Sequence, residues 1–158
     1  MTENILEAAT LIPQQGRMKL LDRVVNPSQK GIRAETTVTE TWPLARDGEV
    51  SSLLCIELVA QAISALSTWR KGEGAVPRPG LLVGIKESQL FCQSLPIGTE
   101  ITVGVEELYH LGNYAVFAGR VTSGPALLCT GTLQVMEPEE EGFLYFLKER
   151  SSRPGGKE

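Results

Sequence analysis

The sequence predicts an α+β domain in which a curled antiparallel sheet of about six strands wraps round one long apolar helix. Three observations predict it. Segment 51–72, SSLLCIELVAQAISALSTWRKG, is helix-length and apolar over most of its circumference, so other structure must enclose it. From Leu81 onward the chain is strand-patterned and cut by tight-turn signals. A further pair of strands precedes the helix, and a sheet that curls round the helix buries both with one core.

Taken in order, residues 2–10 are expected to form a short helix. Thr2 or Asn4 caps it, Ile5, Leu6 and Ala9 form its apolar side, and Pro13 ends it. MKLLDRVVN (18–26) reads as a strand that stops at the Asn26-Pro27 turn. Residues 32–41 alternate, with Ile32, Ala34, Thr36 and Val38 on one face and Arg33, Glu35, Thr37 and Thr39 on the other. An irregular stretch, 42–50, leads to the helix. Ser51 or Ser52 caps its start, and Gly72 ends it behind Arg70 and Lys71, cations suited to a helix C-terminus. Four strands follow at 81–95, 99–111, 114–123 and 126–137, joined by turns at Pro96-Ile97-Gly98, Gly112-Asn113 and Gly124-Pro125. The domain is expected to span 1–137. The tail, 138–158, starts acidic, passes through FLYFLKER as a short helix and ends disordered.

Composition excludes several function classes. The chain has 158 residues, 42% hydrophobic and 22% charged, with a net charge of −4, so it lacks the basic excess of a nucleic-acid binder. Its three cysteines, Cys55, Cys92 and Cys129, form no CxxC pair, and His110 is the single histidine, so no zinc site is expected. The thiols read as reduced and buried. No secretory signal is read at the N-terminus, and no apolar run reaches the roughly 18 residues of a membrane span. The expected location is the cytoplasm.

The helix carries the candidate site. Glu57, Gln61, Ser64 and Thr68 fall at i, i+4, i+7 and i+11, a polar stripe with a single charge. A carboxylate set among Leu, Ile and Val loses solvation, which suits an acid that must hold its proton, and Gln61 can orient it. The alternative is that the stripe is only the solvated edge of the helix. His110, near a turn, reads as a surface residue rather than a base. Asp22 reads as a partner of Arg23 or a turn cap. Arg70, Lys71, Arg78 and Lys86 form either a basic rim or scattered solubilising charges. Gly80 and Gly84 in PGLLVG either admit a ligand close to the backbone or mark a bulge.

Four motifs in order resemble the β-hydroxyacyl-acyl-carrier-protein dehydratases of the hot-dog superfamily: LIPQQGRMKLLDRVV, CIELVAQA, GIKESQLFCQSLPIGTEI and ALLCTGTLQV, spanning roughly residues 5–136. PRPGLLVG (77–84) makes the chain look closer still to the dehydratase-like proteins of aryl-polyene biosynthesis. The resemblance implies a hot-dog fold and a lyase-type activity: dehydration of 3-hydroxyacyl thioesters in fatty-acid or polyene-type synthesis. It implies Glu57 and Gln61 as catalytic residues, with Trp42, Pro43, Ser64, Gly80 and Gly84 against the substrate. No cofactor or metal is implied, because the substrate travels on the phosphopantetheine of an acyl carrier protein or of CoA. A homodimer or higher even oligomer is implied, or a hetero-oligomer with another hot-dog subunit.

The sequence departs from the family in one respect. Family members carry a catalytic His in a His-Phe-Pro-Gly loop fourteen residues before the helix carboxylate, and here that position is Pro43. The histidine of their opening motif is replaced by Gln14. Dehydration needs a base for the α-proton, an acid for the leaving hydroxyl and donors for the thioester carbonyl. The chain is therefore expected to be a dehydratase-like enzyme, a non-catalytic partner of a true dehydratase subunit, or a hot-dog thioesterase.

Overall fold

The computed structural model describes residues 2–138 and 148–149. It contains nine strands and one α-helix, α1 (Leu54–Arg70), in its described part. The strands are β1 (Ile5–Glu7), β2 (Arg23–Val25), β3 (Gly31–Thr37), β4 (Glu49–Ser51), β5 (Leu81–Leu90), β6 (Ser94–Pro96), β7 (Glu100–Leu111), β8 (Tyr114–Ser123) and β9 (Ala126–Met136). Seven of them form one antiparallel sheet in the order β1-β2-β3-β7-β8-β9-β5, and β4 pairs with β6.

The expectation of a sheet curled round a single helix holds, with seven strands where about six were expected. The extra strand lies at the N-terminus. Residues 5–7 pair with Arg23–Val25 instead of forming a helix, and only Ala8–Thr10 make one 3₁₀ turn. A helix this short is marginal without tertiary support, and the edge of β2 offers backbone partners that it cannot match. Asn26 Oδ1 also accepts from the Asn4 amide at 2.8 Å, which ties the start of this segment to the turn after β2. The run 81–95 is likewise split at Phe91–Gln93 into β5 and β6. The helical reading of FLYFLKER lies almost entirely outside the described residues.

Alternation decides which face of each strand meets the helix. In β3, Ile32, Ala34 and Thr36 are buried while Arg33, Glu35 and Thr37 are not. Across the ladder Ala34 faces Val103 of β7, which faces Val121 of β8, which faces Cys129 of β9. α1 lies over these inner residues and buries Leu54, Cys55, Leu58, Val59, Ala62, Ala65 and Leu66. The approach is close at Gly119, where a Cβ would stand 2.4 Å from Val59 Cγ1. Cys55 and Cys129 are buried and Cys92 is half-buried, all as free thiols. The sulfur contact with Cys129, with burial, pushes the Cys55 thiol far up.

Two features bear on the site. Trp42 is buried in the core, and its loop continues through Leu44, which is 60% exposed and held at φ +62°, a left-handed conformation costly for leucine. β5 is the other. It is the sheet edge, pairs with β9 alone, and exposes Leu81, Leu82, Val83, Ile85 and Leu90. No helix among the described residues is long and apolar enough to cross a membrane.

Candidate active site

Glu57 and Gln61 stand one turn apart on α1, and Gln61 Nε2 donates to Glu57 Oε1 at 3.0 Å. The same amide nitrogen donates to the Met18 carbonyl at 2.5 Å. Gln61 Oε1 accepts from the Leu20 amide at 3.0 Å and the Leu21 amide at 3.4 Å. Gln61 is fully buried, and three of its four bonds fasten segment 18–21 across the helix. Three of these bonds go to backbone, so the amide cannot be flipped without setting donors against donors. The carboxylate of Glu57 therefore has one orientation imposed from below. Burial of Gln61 and Thr68 rules out the solvated-edge reading of the stripe. Thr68 itself bonds back to the Ser64 carbonyl at 3.2 Å.

Glu57 opens into a cavity of about 630 Å³. One face of α1 lines it: Glu57, Ala60, Ser64, Ser67 and Lys71, at i, i+3, i+7, i+10 and i+14, with Ile63 and Arg70 beside them. Opposite lie Phe117, Tyr114 and Val135, and the start of β5 from Arg78 to Leu82. Glu57 sits in the first turns of the helix and Arg70 at its end, thirteen residues on, about 20 Å at 1.5 Å per residue.

The far end holds a second polar group. Arg70 donates to Glu107 Oε2 at 2.5 Å and to the Gln29 carbonyl. His110 Nδ1 lies 3.0 Å from Glu107 Oε1. Burial alone raises the Glu107 carboxyl, but the hydrogen bonds and positive charge of Arg70 and His110 outweigh it and hold the group below its ordinary 4.5. Residues 107 and 110 of one strand should point to opposite faces. They meet because the register shifts between Glu107 and Tyr109: Glu107 pairs with Phe117, Tyr109 with Val116, and Leu108 is the extra residue.

The sequence-derived residues divide accordingly. Glu57, Ser64 and Gly80 line the cavity, and Gln61 sits directly behind Glu57. Trp42 is core and Pro43 half-buried, and neither is among the lining residues. Gly84 is also outside the lining; the space beside it is filled by the end of the Gln134 side chain, whose Oε1 would stand 2.1 Å from a Cβ there. Gln14 lines the cavity. Of the expected basic rim, Arg70, Lys71 and Arg78 line the cavity and Lys86 does not. His110 is 68% exposed at its side chain, as a surface residue would be, yet it belongs to the lining. Asp22 does not pair with Arg23. It accepts from Thr36 Oγ1 and the Thr37 amide, while Arg23 pairs with Glu35 at 2.6 Å. Glu107 was missed, because its role depends on a bulge that the EELYH pattern does not announce.

The profile of the ApeP-like proteins, described as ApeP dehydratase, matches residues 6–145. The chain belongs to this family. It is also similar to the solved dehydratase heterocomplex ApeI:P from Xenorhabdus doucetiae, with 23% identity and a TM-score of 0.79, covering 90% of this chain and 97% of that one. A sigma28-regulated virulence protein from Campylobacter jejuni aligns at 12% identity and TM-score 0.64, covering 84% and 88%. Thioesterase superfamily member 2 from Mus musculus aligns at 17% identity and TM-score 0.56, covering 72% and 79%. At these identities the structural likenesses show the fold, which is the hot-dog fold. No curated protein sequence matches. Family membership makes a dehydratase type of activity the coarse reading of the cavity. Near Glu57, however, no histidine stands, since the chain's one histidine is His110 at the opposite end.

Proposed function

We propose that the chain binds 3-hydroxyacyl thioesters, carried on the phosphopantetheine of an acyl carrier protein or CoA, and dehydrates them with Glu57 as the acid. The observation that carries this reading is the Gln61 clamp. Four bonds fix an amide whose only solvent-side duty is to orient one carboxylate in a cavity. Such a group can deliver a proton to a leaving β-hydroxyl. The start of α1 adds backbone N–H groups and the positive end of the helix dipole near the thioester carbonyl.

The base must come from elsewhere, and the exposed edge of β5 supports a second subunit as its source. A ten-residue edge strand with five exposed large aliphatic side chains is an open pairing surface. Pairing β5 with a second hot-dog subunit covers it and brings the partner's residues beside the cavity, whose wall includes Arg78 to Leu82. The partner is a second copy or another hot-dog chain. The second possibility is favoured by the absence of histidine near Glu57 and by the ApeI:P heterocomplex among similar structures. In that form Glu57 supplies the acid and the partner the base; a second reading, motivated by the same missing histidine, is that the chain only shapes the tunnel and its partner performs the chemistry. The free thiols suit a reducing compartment, the cytoplasm.

The test is to incubate the purified chain with a 3-hydroxyacyl carrier-protein thioester, alone and mixed with a second hot-dog subunit. Enoyl product from the chain alone, lost about 10²–10⁴-fold in Glu57→Gln, supports the enzyme. Product in the mixture only, with Glu57→Gln harmless, supports the partner role. Release of free thiol instead of enoyl product makes it a thioesterase, and no product in any mixture rejects the dehydratase reading.

A further inference from the structure

Gln14 brings to the cavity an acceptor that nothing in the protein uses. Its Oε1 is buried without a hydrogen-bond partner, and the residue lines the cavity that Glu57 opens into. A buried acceptor left unpaired costs free energy, and native interiors hold few of them. The segment that carries Gln14 is braced on both sides. Before it, Ile12 is fully buried. After it, the Met18 amide donates to the Gln15 carbonyl at 3.3 Å, and the Met18 carbonyl accepts from Gln61 Nε2 at 2.5 Å. Arg17 Nε fixes the same turn to the Thr41 carbonyl at 3.1 Å. Gln14 therefore enters the cavity from the backbone that Gln61 grips, and Gln61 is also the residue that orients Glu57. An acceptor held empty on so braced a segment suits a ligand that brings a donor.

Resting on the reading of the cavity as a 3-hydroxyacyl thioester site, we propose that Gln14 recognises the β-hydroxyl of the substrate. Its Oε1 accepts the hydroxyl hydrogen while the hydroxyl oxygen turns a lone pair to the Glu57 carboxyl. A hydroxyl has one donor and two acceptor positions, so both contacts form at once. In dehydration the Glu57 proton passes to that oxygen. The β-carbon–oxygen bond breaks with its electron pair going to the departing water. The α-carbon–hydrogen pair, freed by the base, becomes the double bond. The hydroxyl hydrogen leaves with the water, so Gln14 aims the leaving oxygen and transfers no proton itself. A saturated acyl chain offers Gln14 no donor, and a 3-oxo chain sets oxygen against oxygen. Each leaves the buried acceptor unpaired, which is how a polar site rejects an analogue that lacks its partner group.

Calorimetric titration of the full chain tests the assignment. Glu57→Gln serves as the background, because it removes the acid and blocks turnover. The ligands are octanoyl-, 3-hydroxyoctanoyl- and 3-oxooctanoyl-pantetheine, whose pantetheine amides are identical. The 3-hydroxy ligand should bind about tenfold more tightly than either of the others. With Gln14→Leu added, that preference should fall below about threefold, while the octanoyl affinity holds within about threefold. The octanoyl ligand thus separates lost recognition from a damaged cavity. The 3-oxo comparison needs no change at Gln14 and stands even if the leucine variant fails to fold.

A preference that survives Gln14→Leu overturns the assignment. So does a 3-oxo ligand bound as tightly as the 3-hydroxy one, which would mean that Gln14 presents its N–H instead. Binding of all three ligands without preference overturns it and leaves the cavity a thioester site. No binding of any of the three overturns both readings.

Discussion

Behind Glu57 every polar atom of Gln61 is taken, whereas Arg70 Nε at the far end of the cavity, Ser64 Oγ midway along it and Gln14 Oε1 in its lining have nothing to bond. The two ends share one helix face and one cavity, so the difference is not one of location on the surface. The first end is tied to backbone on segment 18–21, which the core holds in place through Leu20 and Leu21. The second is tied mainly to side chains, Glu107 and His110 on a strand end, with one backbone contact to the Gln29 carbonyl in a turn. A reacting group must keep one geometry, which backbone contacts give. A group that meets an arriving ligand must keep bonding capacity in reserve, and that reserve costs stability when the cavity is empty.

The sharpest way to break this contrast is Gln61→Ala. It strands the Leu20 and Leu21 amides and the Met18 carbonyl and opens a hole, so denaturant unfolding should show a loss of about 3 kcal/mol. A loss below about 1 kcal/mol would mean that the clamp is not what orders the Glu57 end. Arg70→Met should cost less, about 1–2 kcal/mol by the same measurement, because its pair with Glu107 is partly exposed at 24% and 15%.

Smaller again is Glu107→Gln, which should cost under about 1 kcal/mol at pH 7. Its signature is pH dependence. The folded carboxyl of Glu107 lies below its ordinary 4.5, so its stabilisation is present above that value and is lost as pH falls through the folded value. Unfolding curves of wild type and Glu107→Gln should therefore converge as pH drops from about 5 to 3. A constant gap would disprove the pairing. Last, Ser64→Ala should change stability by no more than about 0.5 kcal/mol, since its hydroxyl makes no bond to lose. A loss above about 1 kcal/mol would show that the hydroxyl is bonded and that the two ends are alike.

Much of the Glu57 end is legible in the sequence because helical spacing puts Glu57 and Gln61 one turn apart whatever surrounds them. What the spacing could not give is the job of Gln61. Its bonds to Met18, Leu20 and Leu21 span some forty residues, and no local pattern encodes them. Trp42 and Pro43 were drawn to the site by position alone, whereas Trp42 is large and apolar enough for the core to claim it. Glu107 and His110 were separated by strand parity until a bulge at Leu108 brought them together.

By itself the sequence determined the helix, the long strands and the facing of the residues of β3, because periods of 3.6 and 2 follow from local backbone geometry and burial. It also determined that Glu57 stands on an apolar helix with Gln61 beside it. The tertiary structure alone decided that residues 5–7 join the sheet, that β5 stays an open edge, and that one cavity links Glu57 to Arg70. Those outcomes rest on contacts between segments far apart in the chain, where a partner's presence, not local preference, sets the free energy.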